Sequence, residues 1–255
     1  MKESNLHMYD LYERFYSAAE NSPAFAQYCT RVYGADFSQD GFSGLDEIHD
    51  LIERAGVHAG STILDLGCGN GGMCEYIHRR TGAAVYGLDY SEAAIRRAQA
   101  RGIGCFEVGV FGEKDYPPAV FDAVLSVDTF YFVKDKEAFL RQIYGWLKPG
   151  GVLAVMYSPF RLFGDSIGSG KTGFAAAASN AGYAWEATEY TDSFYRLMRR
   201  KHMTAVELEP VFRREGLDWL YDRLVTESIS PGLRFSKFKR NYARYMYIIE
   251  KGGSA

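Results

Sequence analysis

The chain has 255 residues, 47% of them hydrophobic and 24% charged, which is typical of a globular protein with a sizeable core. Its formal net charge of −3 gives no electrostatic reason to expect nucleic acid or an anionic membrane as a partner. No apolar run approaches the roughly 20 residues that span a bilayer, and the N-terminal sequence MKESNLHMYDLYERF lacks the apolar block of a secretory signal.

The first part of the chain is predicted to be helical. Residues 7–33 and 45–56 show helical periodicity, and the glycine-punctuated stretch YGADFSQDGFSG separates them. In the first of these helices, Tyr12 and Tyr16 recur at helical spacing. Such a stripe is more often a packing surface than a face that covers a ligand.

From residue 62 onward, short apolar strands alternate with helical segments, a pattern that predicts βαβ units and a parallel sheet. Ser91 is the predicted N-cap of a helix over 91–101, and Gly102 ends that helix. A helix over 135–147 begins at Asp135. The predicted strands cover residues 62–66, 84–89, 104–109, 121–127 and 151–157.

After residue 158 the pattern changes. Pro210 is predicted to interrupt a long helix, because proline has no N–H for the helical hydrogen bond. The helical stretch over about 192–230 is longer than a crossover requires, so part of it is predicted to cover a pocket. The elements predicted here are a loop, a helix over 172–181, a strand over 184–190, helices over 192–214 and 217–228, and a strand over 242–250.

The sequence ILDLGCGNGG, residues 63–72, predicts a strand, a glycine turn and a helix whose first N–H groups face a ligand. Gly67, Gly69 and Gly72 match the G-x-G-x-x-G pattern of a dinucleotide-binding turn. With Gly71 in place of Gly72, the glycines match the G-x-G-x-G turn that holds S-adenosylmethionine in methyltransferases. The glycines alone do not distinguish the two cofactors.

Two carboxylates flank this loop. Asp65 precedes the first glycine by two residues, where its charge would repel a pyrophosphate but suits a ligand with an ammonium group. Asp89 ends the second predicted strand, where it can accept hydrogen bonds from the two ribose hydroxyls of either cofactor. Asp65 therefore favours S-adenosylmethionine over a dinucleotide.

Four segments in order resemble the class I S-adenosylmethionine-dependent methyltransferases. ILDLGCGNGG is similar to their first motif, VYGLDYSEAAI to their second, FDAVLSVDTFYFVKD to their fourth-strand segment, and LKPGGVLAVM to the turn into their fifth strand. The resemblance covers about residues 60–157. It implies an α/β fold with a seven-stranded, mostly parallel, Rossmann-like sheet, an N-terminal helical lid over 1–59 and a methyltransferase domain over 60–255.

The resemblance also implies roles for individual residues. Asp65 would steer the amino group of S-adenosylmethionine, Asp89 would hold its ribose, and Tyr90 would pack on its adenine. Many relatives carry an Asp or Asn where Val110 stands, and that side chain contacts the adenine amino group. In this chain the contact must come from the backbone or from elsewhere. The alternative role of Phe111 is core packing. The implied cofactor-binding residues are Asp65, Gly67, Cys68, Gly69, Asp89, Tyr90, Val110, Phe111, Ser126, Tyr16 and Tyr33.

The acceptor side is expected beyond the fourth strand. Asp128 would take a proton from an amine or hydroxyl, or hold a cationic substrate, and its alternative role is to cap a loop. Tyr131 would hydrogen-bond the acceptor or close the methyl channel, unless it packs at the sheet edge. In several small-molecule relatives an N-terminal helix supplies a tyrosine to the cofactor, which makes Tyr12, Tyr16 and Tyr33 candidates.

Other motifs carry less weight. In GDSIGSGKT, Gly164 stands one residue too far from Gly170 for a phosphate-binding loop, so a loop near the pocket is the better interpretation. The basic run at 199–201 predicts a solvated helix face, with an anionic substrate group as the alternative. The four cysteines and five histidines lack metal-site spacing, which predicts free thiols in the cytoplasm and no bound metal.

The sequence therefore predicts a cytoplasmic enzyme that transfers a methyl group from S-adenosylmethionine to a nitrogen or oxygen of a small metabolite and releases S-adenosylhomocysteine. The signature [D/N]-P-P-[Y/F] is absent after the fourth strand, which disfavours methylation of nucleic acid. Two alternatives stay open: a nicotinamide-dependent oxidoreductase, and a protein that binds S-adenosylmethionine but acts as a cyclase, isomerase or binding module. The sequence does not indicate the oligomeric state.

Overall fold

A seven-stranded sheet organises the chain. The computed structural model describes residues 3–19, 21–159 and 165–252. The strand order is β3-β2-β1-β4-β5-β7-β6; β1 to β5 run parallel, whereas β7 is antiparallel to β5 and to β6. This confirms the predicted mostly parallel sheet. The strands are β1 (Thr62–Leu66), β2 (Ala84–Asp89), β3 (Gly104–Val108), β4 (Phe121–Val127), β5 (Leu147–Tyr157), β6 (Glu186–Glu189) and β7 (Tyr245–Glu250).

Helices precede the sheet, connect its strands and form a group between β6 and β7. Single 3₁₀ turns occupy Phe130–Phe132 and Ser169–Lys171. The predicted caps Ser91 and Asp135 each accept a hydrogen bond from the first turn of their helix. The helices are α1 (Glu3–Ala19), α2 (Pro23–Tyr33), α3 (Leu45–Arg54), α4 (Gly72–Thr81), α5 (Glu92–Ala100), α6 (Lys136–Trp146), α7 (Gly173–Asn180), α8 (Thr191–Arg214), α9 (Asp218–Thr226) and α10 (Phe235–Phe238).

Successive strand residues supply opposite faces of the sheet, since side chains alternate along a strand. Leu64 and Leu66 of β1 join a core cluster with residues of α6 and α7. Ile63, their neighbour, joins a second cluster with residues of α3, α4 and α5. Both faces of the central strands are thus covered, which explains why these strands read as continuous apolar runs rather than as alternating ones.

A third apolar cluster joins the two ends of the sequence. Phe15 of α1 and Phe25 of α2 pack with Leu197 and Phe212 of α8 and with Leu220 of α9. All five side chains are at most 4% exposed. The helices before the sheet and the helices before β7 therefore form one layer.

The prediction of a single helix over residues 7–33 is wrong, because the structure has two helices there, α1 and α2. The second begins at Pro23, with Ser22 as its N-cap: the Ser22 hydroxyl accepts a hydrogen bond of 3.0 Å from the Phe25 N–H. Proline is suited to the first helical position because the N–H that it lacks would have no helical partner there. The helical periodicity of the apolar residues runs on through this break and conceals it.

The predicted interruption at Pro210 is also wrong, since α8 runs unbroken from Thr191 to Arg214. Pro210 is exposed, so its ring points away from the packed face. We expect Pro210→Ala to raise the free energy of unfolding by about 1 kcal/mol or more, because alanine restores the missing helical hydrogen bond. Urea denaturation would measure this change, and a Pro210→Ala protein no more stable than the original would contradict it.

Candidate cofactor and acceptor site

The glycine loop lies between β1 and α4, at the carboxyl ends of β1 and β2. The N–H groups of Gly67 and Cys68 both donate to the Leu88 carbonyl of β2, at 2.7 and 3.2 Å. Gly69 adopts a positive φ of 53°. A Cβ added there would lie 2.2 Å from the Tyr16 hydroxyl, so only glycine fits beneath that ring.

Asp89 ties the loop to the end of β2. Its Oδ2 accepts a hydrogen bond of 2.9 Å from the Gly69 N–H, and its Oδ1 accepts one of 2.9 Å from the Ser91 N–H. Burial raises the pKa of the Asp89 carboxyl to about 6, although these backbone hydrogen bonds lower it. Each oxygen still has a lone pair for a further donor, as binding of ribose hydroxyls requires.

Asp65 is fully buried at the end of β1. The Cys74 thiol donates to its Oδ2 at 3.2 Å, whereas its Oδ1 has no hydrogen-bond partner among the described residues. Burial is the main cause that raises the pKa of the Asp65 carboxyl to about 7. A buried carboxylate oxygen without a donor is costly, and the ammonium group of a ligand would satisfy it.

The segment between α2 and α3 packs on the glycine loop. The Gln39 side chain donates from Nε2 to the Cys68 carbonyl and accepts at Oε1 from the Met73 N–H, both at 2.8 Å. The Asn70 side chain donates to the Ser38 carbonyl at 2.9 Å. Gln39 was not predicted as a site residue. It lies in the stretch YGADFSQDGFSG, whose lack of helical or strand periodicity indicates a loop but does not single out Gln39.

Tyr16 of α1 covers the same loop. Its ring is 5% exposed and lies against Gly69, and burial together with the nearby Asp89 raises the pKa of its hydroxyl. Tyr12, one turn earlier, contacts the Tyr90 ring edge to face, with ring centroids 6.2 Å apart. Tyr33 lies elsewhere: its hydroxyl donates to the Gly41 carbonyl at 3.0 Å. The structure thus brings Tyr12 and Tyr16, but not Tyr33, to the glycine loop and Tyr90.

The residues predicted to flank adenine differ in their surroundings. Val110 is 43% exposed. Phe111 is half-buried, and its ring stacks on Phe139 of α6 with the centroids 5.5 Å apart. Phe111 therefore has the core contact that was considered as its alternative role. Cys68, within the glycine loop, is fully buried.

At the end of β4, a pair of hydroxyl groups lies beside the first glycine. Ser126 Oγ lies 2.8 Å from Thr129 Oγ1, and the Thr129 hydroxyl donates to the Leu66 carbonyl at 2.6 Å. A Cβ on Gly67 would lie 2.3 Å from the Thr129 side chain. Thr129, which was not predicted as a site residue, therefore occupies the space that a side chain at Gly67 would need.

Asp128 is fully engaged with other residues. Its Oδ1 accepts from Arg244 Nη1 at 2.6 Å, and its Oδ2 accepts from Arg244 Nη2 at 3.1 Å and from the Phe42 N–H at 3.0 Å. Asp128 has a positive φ of 60°, a conformation that non-glycine residues seldom adopt. Tyr131 is 7% exposed, with its ring centroid 6.1 Å from that of Tyr157.

Arg244, just before β7, is the centre of this arrangement and was missed from the sequence. Its side chain is fully buried; besides Asp128, it donates to Glu47 Oε2 at 2.8 Å, to Ser158 Oγ at 3.0 Å and to Ser43 Oγ. Its partners lie 86 to 201 residues away along the chain. No local sequence pattern records such distant pairings.

The solvated face predicted for residues 199–201 is wrong for Lys201, whose side chain is fully buried. Lys201 lies one turn after Leu197 and one turn before Ala205, on the packed face of α8. Arg200 is exposed and Arg199 is half-buried. The helical period, rather than the charge of the run, decides which of these side chains faces inward.

Gly164, the first glycine considered for a phosphate-binding loop, lies outside the described residues. The Asp165 carboxylate accepts hydrogen bonds from the Gly173 N–H at the start of α7, at 2.6 Å, and from the Tyr157 hydroxyl, at 2.9 Å. Within the described parts of the chain, no group of three His, Cys, Asp or Glu side chains could hold a metal ion. None of the helices described there is long and apolar enough to cross a bilayer.

Part of the chain is similar to known proteins. A family profile described as a methyltransferase domain matches residues 64–155. Over 130 residues, 49% of this chain, the sequence is 34% identical to phosphoethanolamine N-methyltransferase 1 of Zea mays, of which the match spans 26%. The chain thus spans about a quarter of the length of the curated relatives it matches. Residues 64–155 are thus similar to a methyltransferase domain, and the seven-stranded sheet around them has the fold of class I S-adenosylmethionine-dependent methyltransferases.

Two solved structures share the fold. Phosphoethanolamine N-methyltransferase 2 of Haemonchus contortus, in complex with phosphomonomethylethanolamine and S-adenosylhomocysteine, aligns with a TM-score of 0.65 at 19% identity over 90% of this chain and 57% of that one. The [4+2]-cyclase SpnF aligns with a TM-score of 0.62 at 19% identity over 82% of each chain. One of these neighbours is named as a methyltransferase and the other as a cyclase.

Proposed function

We propose that the protein binds S-adenosylmethionine and transfers its methyl group to a nitrogen or oxygen of a small metabolite, releasing S-adenosylhomocysteine. The observation that carries the proposal is the buried, unpartnered Asp65 Oδ1 beside a glycine loop whose other flank is Asp89. A ligand with an ammonium group and a ribose matches both carboxylates. The family profile over residues 64–155 supports the same cofactor.

In this proposal, Asp65 binds the ammonium group, Asp89 accepts from the ribose hydroxyls, and Tyr90, Val110 and Phe111 adjoin the adenine. The backbone of Gly67, Cys68 and Gly69 lines the site together with Ser126. When bound, S-adenosylmethionine supplies an activated methyl group. The protein excludes water with Tyr16 and aligns the acceptor, which brings the reacting atoms together at low entropic cost.

Asp128 and Tyr131 remain our proposed acceptor-side residues, with a refined role for Asp128. Both oxygens of Asp128 accept hydrogen bonds from Arg244, and Oδ2 also accepts one from the Phe42 N–H, so the carboxylate is occupied by these contacts. We therefore propose that Asp128 positions the 42–47 segment through Arg244 rather than removing a proton. Tyr131 would hydrogen-bond the acceptor or close the methyl path.

Calorimetric titration of the full chain with S-adenosylmethionine and S-adenosylhomocysteine tests the cofactor. Micromolar dissociation constants for both would support the proposal, and a folded protein that binds neither would overturn it. Release of S-adenosylhomocysteine during incubation with a panel of small amines, phenols and carboxylic acids then tests methyl transfer.

Binding of the cofactor should depend on pH. Asp65 has a pKa of about 7 and must be ionised to bind an ammonium group, so binding should weaken as the pH falls below 7. We expect the dissociation constant for S-adenosylhomocysteine to rise about tenfold between pH 7.5 and pH 6.0. Asp65→Asn should bind weakly at both values; an affinity of the original protein that does not change with pH would contradict the assignment.

A second candidate function rests on the cyclase SpnF, which shares the fold over 82% of the chain. A fold does not determine the reaction that it supports. A protein that binds S-adenosylmethionine for another purpose would pass the titration but release no S-adenosylhomocysteine with any acceptor. The second assay therefore distinguishes the two candidates.

We propose the cytoplasm as the location of the reaction. Cys29, Cys68 and Cys74 are buried free thiols, as a reducing compartment would maintain them. We further propose that a small molecule, rather than nucleic acid, is the partner of the site, because the net charge of −3 offers no attraction to a polyanion.

A further inference from the structure

A second set of charged side chains, which the proposed function does not use, lies under the N-terminal helices. Asp40, from the segment between α2 and α3, forms an ion pair of 2.7 Å with Arg223 of α9 and one of 3.7 Å with Lys201 of α8. Arg223 also pairs with Glu227 at 2.9 Å. We call Asp40, Lys201, Arg223 and Glu227 the Asp40 cluster.

The Asp40 cluster contains polar atoms that lack partners. The Asp40 side chain is 6% exposed, yet its Oδ1 has no hydrogen-bond donor among the described residues. The same holds for Glu227 Oε2, Arg223 Nε and the hydroxyl of the fully buried Tyr28. A proton shared between the Asp40 and Glu227 carboxyls would give both oxygens a partner, which leaves Arg223 Nε and the Tyr28 hydroxyl. Because unpaired buried polar atoms are costly, these two atoms indicate a missing polar ligand.

The Asp40 cluster adjoins the cofactor site on its acceptor side. Tyr12, whose ring contacts Tyr90, lies under the Arg223 guanidinium, 5.6 Å from it. Gln39, directly before Asp40, is bonded to the glycine loop. Phe42, two residues after Asp40, donates a hydrogen bond of 3.0 Å to Asp128, which follows β4. A ligand in the cluster would therefore lie between the N-terminal tyrosines and the carboxyl end of β4.

The charges of this region favour a cation. The Gly41 carbonyl accepts a hydrogen bond from Lys201, and the N–H of the next residue, Phe42, donates one to Asp128. The Asp40 cluster is therefore contiguous with the ion-paired group of Arg244, Asp128 and Glu47, which we call the Arg244 cluster. Together they contain four carboxyl groups, of Asp40, Glu47, Asp128 and Glu227, but only three cationic groups, of Lys201, Arg223 and Arg244.

The excess of carboxyl groups affects the pKa of Glu227. Burial and the neighbouring Asp40 raise the pKa of Glu227 to about 7, whereas Lys201 and Arg223 hold the pKa of Asp40 below its usual value despite burial. A proton on Glu227 thus balances the region at neutral pH, and a bound cation would replace it. The Glu227 side chain is 29% exposed, although its Oε2 is buried.

We propose that the Asp40 cluster, with the rings of Tyr12, Tyr28 and Tyr131, is the acceptor subsite and that it binds a small protonated amine. This inference rests on the proposed function and narrows it to a nitrogen acceptor. Asp40 and Glu227 bind the ammonium group, and the tyrosine rings add the attraction of aromatic faces for a cation. Before transfer, the ammonium group gives a proton to the Glu227 carboxylate. The freed nitrogen lone pair then forms the N–CH₃ bond while the S–CH₃ bond of S-adenosylmethionine breaks and S-adenosylhomocysteine leaves. Arg223 and Lys201 position Asp40.

Three ligands of similar shape and different charge test the charge preference. Phenethylamine, 2-phenylethanol and 3-phenylpropionate are titrated into the full chain saturated with S-adenosylhomocysteine. We expect the amine to bind at least tenfold more tightly than the alcohol or the acid. Glu227→Gln and Asp40→Asn should each remove most of that preference, whereas Asp222→Asn, at an exposed position of α9, should keep it.

The outcomes separate this inference from the proposed function. Equal or tighter binding of the alcohol or the acid, or no binding of any of the three while S-adenosylhomocysteine still binds, would overturn the amine subsite alone. Absence of S-adenosylhomocysteine binding in the original protein would overturn the proposed function. A Glu227→Gln protein that is less stable but keeps the original preference would show that the cluster only supports the fold.

Discussion

Replacement of Arg244 by methionine should lower the free energy of unfolding by about 3–5 kcal/mol. Arg244 is fully buried and binds Asp128 through two hydrogen bonds and Glu47 through one. Methionine fills similar space but leaves two buried carboxylates without their cation, and this desolvation cost is the source of the effect. Urea denaturation followed by circular dichroism gives the measurement.

Arg240→Met is the matched control, because Arg240 is exposed and lies four residues earlier. We expect it to change the free energy of unfolding by less than about 0.5 kcal/mol. A double-mutant cycle with Asp128→Asn isolates the Arg244–Asp128 pair. Should Arg244→Met cost no more than the control, or should the cycle show no coupling, the central role given to Arg244 would be wrong.

Replacement of Asp89 by alanine should weaken the binding of S-adenosylhomocysteine about a hundredfold. Two hydrogen bonds to a charged carboxylate, at about 1.5 kcal/mol each, amount to roughly a factor of 100 in the dissociation constant. Asp89→Asn keeps one acceptor oxygen, so about tenfold is expected for that variant. Calorimetry at constant pH measures both changes.

The Gly69 and Ser91 N–H groups also lose their acceptor when Asp89 is replaced, so the folding of each variant must be checked by its thermal transition. Glu92→Gln is the matched control: its side chain is 66% exposed on the adjacent turn. An unchanged affinity in a folded Asp89→Ala protein would remove Asp89 from the cofactor site. Weaker binding in the Glu92→Gln control would instead indicate a general electrostatic effect.

The central strands could be predicted from the sequence because the signal is local. β1, β2 and β4 have the predicted bounds, since buried parallel strands are short apolar runs between turn-forming residues. The loop 63–72 and the carboxylates Asp65 and Asp89 could be selected as candidates for the same reason: the motif and its flanking residues are adjacent in the sequence. The break between α1 and α2 was missed because Ser22 and Pro23 interrupt the backbone without interrupting the apolar period.

The proposed acceptor side could not be predicted, because segments that are distant in the sequence form it. Gln39 reaches a carbonyl 29 residues away and Arg223 pairs with Asp40 over 183 residues, so neither leaves a pattern in its own neighbourhood. Asp128 was found from its place after β4, but its role depended on Arg244. The burial of the Lys201 side chain was not predicted. A run of three basic residues indicated an exposed helix face, and the helical period that indicates burial was given less weight.

The segment from Ser38 to Phe42 has a thermodynamic consequence. It is bonded to the glycine loop at one end and to Lys201 and Asp128 at the other. A cofactor that orders the end at the glycine loop would lower the conformational entropy that an acceptor bound at the other end loses. Binding of the cofactor and binding of the acceptor would then be coupled. By linkage, the factor by which the cofactor changes the affinity for the acceptor equals the factor by which the acceptor changes the affinity for the cofactor.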